Sequence, residues 1–210
     1  MIDIHTHILP KADDGARDWE TCLKMLAQSA KCGVKEVIAT PHYSPWMKGP
    51  TPADTVRLCE EVQQRLQTEM GIDMKVHPGN EIYYSVDVID DMKRGKVLPL
   101  ANSQYVLLEF SEQSSMQTIK RAVREFQVEG YIPILAHVER YQYVQKSDGL
   151  EELRESGALF QVNAESLTGG FFDSQSRWVR KSLKKGLIDF VASDMHNVNT
   201  RPPIQDKALM

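Results

Sequence analysis

The chain has 210 residues, 41% of them hydrophobic, with 29 acidic against 25 basic side chains. That is enough for one domain over residues 1–210 with a sizeable buried core, and it excludes the global positive field of a general nucleic-acid binder. No apolar run reaches about eighteen residues and no signal-peptide pattern opens the chain, so a soluble, cytoplasmic protein with no membrane insertion is expected.

The first element is predicted at Met1-Ile2-Asp3-Ile4, a short apolar stretch that reads as a strand. His5 and His7, two residues apart, project the same way from its end. Neutral imidazole is the commonest side-chain metal ligand, and two on one strand face can hold an ion of zinc, manganese or iron type. Taken alone, the pair reads more simply as exposed surface histidines. Trp19, Cys22, Leu23, Leu26 and Ala30 then share one face of a helix that closes at Gly33, and the apolar run VKEVIATPH ends at His42. Tyr43 to Pro52, rich in Pro and Gly, reads as a loop. Val56, Cys59, Val62 and Leu66 define a second helical face, and a strand starting near residue 74 leads into HPGNE and Glu81.

The segment YVLLEF predicts another strand with Glu109 at its end, and Ile119, Ala122, Val123 and Phe126 line the helix after it. Gly130 precedes YIPILAH, which stops at His137; Gly157 precedes ALFQVNAE, which stops at Glu165. A last helix over 173–185, with Trp178, Val179 and Leu183, closes at Gly186 before LIDFVASDMH and its Asp194 and His196. Glycine after a final helical turn takes the left-handed conformation cheaply. The three cysteines, Cys22, Cys32 and Cys59, are odd in number and at no metal-ligand spacing, which suits core thiols in a reducing compartment.

Strand alternating with helix implies parallel strands with helices outside, as a barrel or an open sheet, with about seven strands starting near residues 1, 35, 74, 105, 132, 158 and 187. Ligands gather at the carboxyl ends of such strands. Of the six histidines, five fall at those ends, and His77 alone reads as structural. Each such residue singly is more simply a satisfied strand-end polar group. Together, so many imidazoles and carboxylates on one face need cations to compensate desolvation and repulsion.

His5, His7, His42, His137 and His196 with Asp14, Glu81, Glu109 and Asp194 make nine candidate ligands, too many for one tetrahedral ion. Two or three divalent ions would use them. Metals held a few ångströms apart lower the pKa of a bridging water and clamp both oxygens of an in-line displacement at phosphorus, so phosphate-ester hydrolysis is the expected chemistry. Arg140, three residues after His137, and Arg201, five after His196, belong to loops at the same strand ends, where a guanidinium fork suits phosphate oxygens. Arg17 is a weaker candidate that a helix could display to solvent. Cys59 and Arg65 match C-x5-R, the pattern of cysteine-dependent tyrosine phosphatases, but lie mid-helix without the glycines of a phosphate-cradling loop.

The motifs HTH at 5–7, TPH at 40–42, GNEIYY at 79–84, LLEF at 107–110, AHVERY at 136–141 and SDMHN at 193–197, followed by RPP, resemble the PHP (polymerase and histidinol phosphatase) superfamily. More closely they resemble its bacterial CpsB/CapC branch of metal-dependent protein-tyrosine phosphatases, from residue 1 to about 203. The resemblance implies an α/β fold, a distorted (β/α)7 TIM-like barrel of the PHP type with a trinuclear metal site at the C-terminal ends of the strands. It implies the nine residues above as ligands, Glu81 as a bridge, and Arg140 and Arg201 as phosphate binders. Manganese is the leading expectation for the ions, with iron or zinc also suited. The implied partner is the phosphotyrosine-bearing tail of a bacterial tyrosine kinase controlling capsule or exopolysaccharide synthesis; no nucleic acid is expected. Rival readings are another PHP phosphoesterase, acting on histidinol phosphate or nucleic-acid ends, and a non-catalytic metal-stabilised binding module. Members of the branch usually continue some tens of residues past RPP through one or two helices, whereas this sequence stops at Met210.

Overall fold

The structure, a computed structural model, describes residues 1–146, 148–170 and 173–203. Every strand pairs in parallel: β1 (Ile2–Thr6), β2 (Glu36–Ala39) and β4 (Lys75–Pro78) form one sheet. A second contains β3 (His42–Tyr43), β5 (Glu81–Tyr83), β6 (Tyr105–Glu109), β7 (Ile132–Leu135), β8 (Leu159–Asn163) and β9 (Phe190–Ala192) in that order. The predicted strands appear at the predicted places, with two of them split. Pro41, which has no N–H to give a ladder, lies between β2 and β3, and Gly79-Asn80 lies between β4 and β5. Side chains supply the missing bonds at these breaks: Asn80 donates to the Pro41 carbonyl at 2.9 Å and accepts from Leu98 N–H, and Thr40 accepts from Thr6 N–H at 3.0 Å.

The sheet curls until its outer edges meet. Thr6 bridges Met195 in parallel, Asp194 N–H donates to the His5 carbonyl at 3.0 Å and His7 N–H to that of Met195 at 3.0 Å. Ile4, Ile38, Leu107, Ile134, Leu159 and Phe190, from six different strands, pack in one apolar cluster, which only a curled sheet can bring together. The architecture is therefore an α/β fold with a curled parallel sheet.

The helices are α1 (Trp19–Lys31), α2 (Pro52–Met70), α3 (Val88–Lys93), α4 (Met116–Val128), α5 (Gly149–Glu155) and α6 (Ser174–Lys184). Their starts are chemically specified. Asp18, Ser115 and Asp173 cap α1, α4 and α6, and Thr51 with Asp54 forms a capping box before α2, with Pro52 at its first turn. The expected apolar faces are the buried ones; Ile119, Ala122, Val123 and Phe126 of α4 are wholly inaccessible and pack toward β7. Burial of each larger aliphatic or aromatic side chain stabilises by about 1.5–3 kcal/mol. Gly33, Gly130, Gly157 and Gly186 all have positive φ after helical turns, as expected. The run expected to stop at Glu165 instead ends its strand at Asn163, and Glu165 is exposed on a following 3-10 turn. Among the described residues no helix is long and apolar enough to cross a membrane.

Segment 11–16 folds back over the end of β1 through Ala16 N–H to the His7 carbonyl at 3.0 Å and Lys11 N–H to the Ala16 carbonyl at 2.8 Å. A Cβ at Gly15 would stand 2.1 Å from the His7 carbonyl oxygen and 2.5 Å from its Cβ, so backbone and not a flexible tip blocks it. Gly15→Ala should accordingly destabilise the fold by about 3 kcal/mol or more, read as a lowered midpoint in denaturant titration; an unchanged midpoint would mean that the segment is not held against β1.

Candidate metal centre

All nine candidate ligands come together at the carboxyl ends of the strands. β1 brings His5 and His7 through an irregularity: Asp3 to Thr6 spans one residue more than Val37 to Ala39 opposite it, a bulge that re-aims the strand end. Ile4 thus joins the interior apolar cluster while its neighbour His5 is also fully buried. His137 and Asp194 follow β7 and β9 in the left-handed region, at φ 33° and 50°. For residues other than glycine this conformation carries a cost of order 1 kcal/mol or more that surrounding contacts must offset, and it is concentrated at functional sites.

Glu81 is the centre. Its Oε2 lies 3.0 Å from His42 Nδ1 and 3.2 Å from both His5 Nε2 and His7 Nε2, while its Oε1 lies 2.9 Å from His137 Nε2. Three sets of donor atoms each fall within 4.8 Å of one another and could hold an ion: His5, His7 and Glu81; His42, Glu81 and Glu109; and His7, Asp14, His42 and His196. Glu81, His7 and His42 each belong to two sets. His137 adds a contact of 3.5 Å to Glu109, and Asp194 Oδ1 lies 3.3 Å from His5 Nε2 and 3.4 Å from His7 Nε2. Asp14 is the most exposed member, 3.4 Å from both His42 and His196.

Hydrogen bonds behind the cluster set which nitrogens face it. Asp13 Oδ2 accepts from His7 Nδ1 at 2.7 Å, and the Asp194 carbonyl, which can only accept, lies 2.9 Å from His196 Nδ1. Both rings therefore carry a proton on Nδ1 and turn Nε2 inward, and on His196 that nitrogen keeps its lone pair. His196 Nε2 and Glu81 Oε2 are buried with no hydrogen-bond partner among the described residues. A lone pair and a carboxylate oxygen left bare in this way are what a cation needs, and the mixed nitrogen and oxygen donors suit manganese, iron or zinc.

The electrostatics agree. Burial alone would push the His5 imidazole down, but the Glu81 and Asp194 carboxylates raise it above its ordinary value. His7 is likewise opposed by burial and held well above by Asp13, Asp194 and Glu81; His42 is raised mainly by Glu81 against its burial. Burial disfavours ionised Glu81 and Asp194, yet His5 and its neighbours hold both well below the usual carboxylate range. Glu109 is pushed up by burial and by Glu81, and His196 falls to about 4 through burial and the neighbouring His7. Protons on imidazoles thus compensate the carboxylates in the same place where metal cations would.

Arg140 and Arg201 reach the cluster from opposite loops, each placing Nη2 on Asp194 Oδ2, at 3.1 and 2.5 Å. Both side chains stay about one-third exposed, so an incoming anion can meet them. The other signals resolve plainly. Arg17 is exposed beside Asp18, and His77 pairs with Glu36 at 2.9 Å, away from the cluster. Cys59 is buried in α2 with its thiol pushed up to about 12 by burial, while Arg65 stacks on Trp19 and pairs with Glu61, so no C-x5-R nucleophile exists. Asp13 and the β8 pair Gln161 and Asn163 were not singled out from the sequence. Asp13 had a signal in the DDG triplet, where only its neighbour Asp14 reads as a ligand; the β8 pair had none, since both hold their partners through bonds far apart along the chain.

The model of the family "Capsular polysaccharide synthesis, CpsB/CapC" matches residues 1–210. The tyrosine-protein phosphatase YwqE of Bacillus subtilis (strain 168) is 35% identical over 202 residues, 96% of this chain and 79% of that protein. The tyrosine-protein phosphatase CpsB of Streptococcus pneumoniae is 31% identical over 216 residues, 99% of this chain and 88% of that protein. One of the crystal structures of B. subtilis YwqE and S. pneumoniae CpsB, described as unique metal-dependent tyrosine phosphatases, superposes with a TM-score of 0.92 at 35% identity, covering 100% of this chain and 85% of that one. The chain belongs to the CpsB/CapC family. Its fold is also that of a histidinol phosphate phosphatase from Lactococcus lactis, solved with zinc, L-histidinol and phosphate, at a TM-score of 0.54 and 13% identity over 91% of this chain and 83% of that one.

Because imidazoles raised by carboxylates must lose protons to coordinate a cation, metal binding should release protons and weaken on acidification. Each proton displaced makes the apparent affinity fall about tenfold per pH unit below the raised pKa values. Chelator competition at pH of about 6 and about 8 measures this; equal affinities at the two would mean that the ion displaces no protons from these histidines.

Proposed function

We propose that this chain is a metal-dependent protein-tyrosine phosphatase, and that His5, His7, Asp14, His42, Glu81, Glu109, His137, Asp194 and His196 hold two or three divalent ions, manganese first among them. The observation that carries the reading is the buried Glu81 carboxylate ringed by imidazoles, with two arginines on the adjacent Asp194. Counting β2 with β3 and β4 with β5 as two interrupted strands gives a (β/α)7 barrel closed between β1 and β9, a count supported by the edge bonds at Thr6 and His7. The match of the family to residues 1–210 supports one domain over that length.

Bound ions would supply Lewis-acid catalysis and the positive charge that buried carboxylates require. The chain's own residues do the rest. Arg140 and Arg201 hold the phosphoryl oxygens, for which guanidinium offers paired donors that cannot lose their charge at any working pH. Tyrosinate, with a parent pKa of about 10, leaves with less help from a general acid than an alkyl alcohol needs. Beside the exposed edge of His42 a cleft of about 260 Å³, lined by Tyr43, Met47, Pro50, Pro52 and Lys96, offers apolar surface to the phenol ring. The phosphoprotein is the tyrosine-bearing tail of a bacterial kinase of capsule or exopolysaccharide synthesis, met in the cytoplasm; the family's description and the buried free thiols of Cys22 and Cys59 support this.

Comparing rates on a phosphotyrosine peptide, histidinol phosphate and single-stranded DNA, with and without chelator, tests the assignment. Chelator-sensitive turnover of the peptide is expected. Bound metal without turnover on any substrate would instead favour a binding module, and a preference for histidinol phosphate another PHP activity. Arg140 cannot coordinate a cation, so Arg140→Ala should lower kcat about 10²-fold or more while metal content stays at the wild-type level. Full kcat/KM, or stoichiometric loss of metal, in the folded variant would remove Arg140 from the phosphate site.

A further inference from the structure

Strand β8 supplies none of the nine candidate ligands, yet it points two buried amides at them: Gln161, fully inaccessible, and Asn163, 5% exposed. Their orientations follow from one group that has no choice. The backbone N–H of His137 can only donate, and it donates to Gln161 Oε1 at 2.9 Å, so that atom is the amide oxygen. His5 Nδ1 lies 3.0 Å from the same oxygen and must therefore carry the proton. Its Nε2, the nitrogen free to bind an ion once it gives up any proton, is left facing Glu81 Oε2 and His7 Nε2, each 3.2 Å away. The amide nitrogen of Gln161 then donates to Asn163 Oδ1 at 2.9 Å, which obliges the amide nitrogen of Asn163 to donate to Asp194 Oδ2 at 2.7 Å. On that oxygen the chain meets both arginines.

We infer that Gln161 and Asn163 are positioning residues: Gln161 fixes the His5 tautomer and the turn at His137, and Asn163 holds Oδ2 of Asp194 so that Oδ1 stays aimed at His5 and His7. Two side chains at the end of β8 thus pre-set three of the proposed ligands, His5, His137 and Asp194, before any ion arrives. The left-handed backbone at His137 and Asp194 makes this support necessary, because neither residue is held by an ordinary strand conformation. Asn163 has a second duty. When the arginines engage a phosphate, its N–H is the neutral donor that stays on Asp194 Oδ2, so the carboxylate keeps its orientation through the event that recruits the arginines. Groups that orient ligands in this way typically contribute 10- to 100-fold to metal affinity.

The inference rests on the metal-holding reading, and the experiment separates the two. Divalent metal affinity of the full chain is measured by chelator competition with manganese and zinc, alongside nitrogen-15 spectra of the His5 ring and thermal melting. Gln161→Leu keeps the volume and removes both polar ends; it should weaken metal binding about 10- to 100-fold and let His5 sample both tautomers. Gln161→Glu retains acceptors for His5 Nδ1–H and His137 N–H but loses the N–H that Asn163 Oδ1 accepts, so it should preserve the Nδ1–H tautomer of His5 while releasing Asn163. A wild-type protein that binds no metal refutes the metal-holding reading and this inference with it. Wild type that binds metal, with folded Gln161→Leu binding equally well, overturns the inference alone. So does a folded Gln161→Glu protein whose His5 ring samples both tautomers, which keeps the test decisive if the leucine variant does not fold.

Discussion

Everything at the carboxyl ends of these curled parallel strands answers to one constraint, the burial of the Glu81 carboxylate among imidazoles. One of its oxygens stands within 3.2 Å of three ring nitrogens and makes no hydrogen bond among the described residues. An ionised carboxylate out of water is costly unless charge and donors surround it. Here both are provided by residues drawn from different strands, so the site cannot exist until the sheet has curled. The candidate metal centre and the closure of the sheet are therefore one structural problem.

The closure is itself polar. Asp3, fully buried at the start of β1, accepts from Ser193 N–H at 3.1 Å and from His5 N–H at 3.4 Å, tying the first strand to the last. Burial pushes its carboxyl up to about 6, while the bonds from Ser193 act against the shift. Because folding raises this pKa, ionising Asp3 subtracts from stability, and the bonds from Ser193 and His5 limit that cost; the bulge that follows it in β1 is what turns His5 to the interior. Irregularity at this strand end is thus functional geometry, like the left-handed residues His137 and Asp194.

Phosphoryl chemistry on this scaffold has no use for a thiol. Where a cysteine-dependent phosphatase needs a thiolate in a loop of backbone amides, Cys59 is sealed in a helix face with its thiol pushed up to about 12. What the fold offers instead is a charge-balanced cavity floor with guanidinium groups at its rim. The distant likeness to a histidinol phosphate phosphatase extends to the fold alone.

Strand and helix order, the glycines after helical turns and all nine ligand candidates were legible in the sequence, because each is written in local terms. Apolar periodicity marks an element, and a histidine or carboxylate where it stops marks a strand end. Resemblance to a family added the assignment of roles, which spacing alone left open. Tertiary structure decided the rest. It split two of the strands at Pro41 and Gly79-Asn80, ended β8 at Asn163 rather than Glu165, and chose Asp13 to orient His7 while its neighbour Asp14 faces His42 and His196. It also set Gln161 against His5 across 156 residues of chain. An amide in a strand carries no local mark of what it will touch. Its partners are fixed only when parallel strands, distant in sequence, are brought side by side and every buried donor and acceptor must find the other.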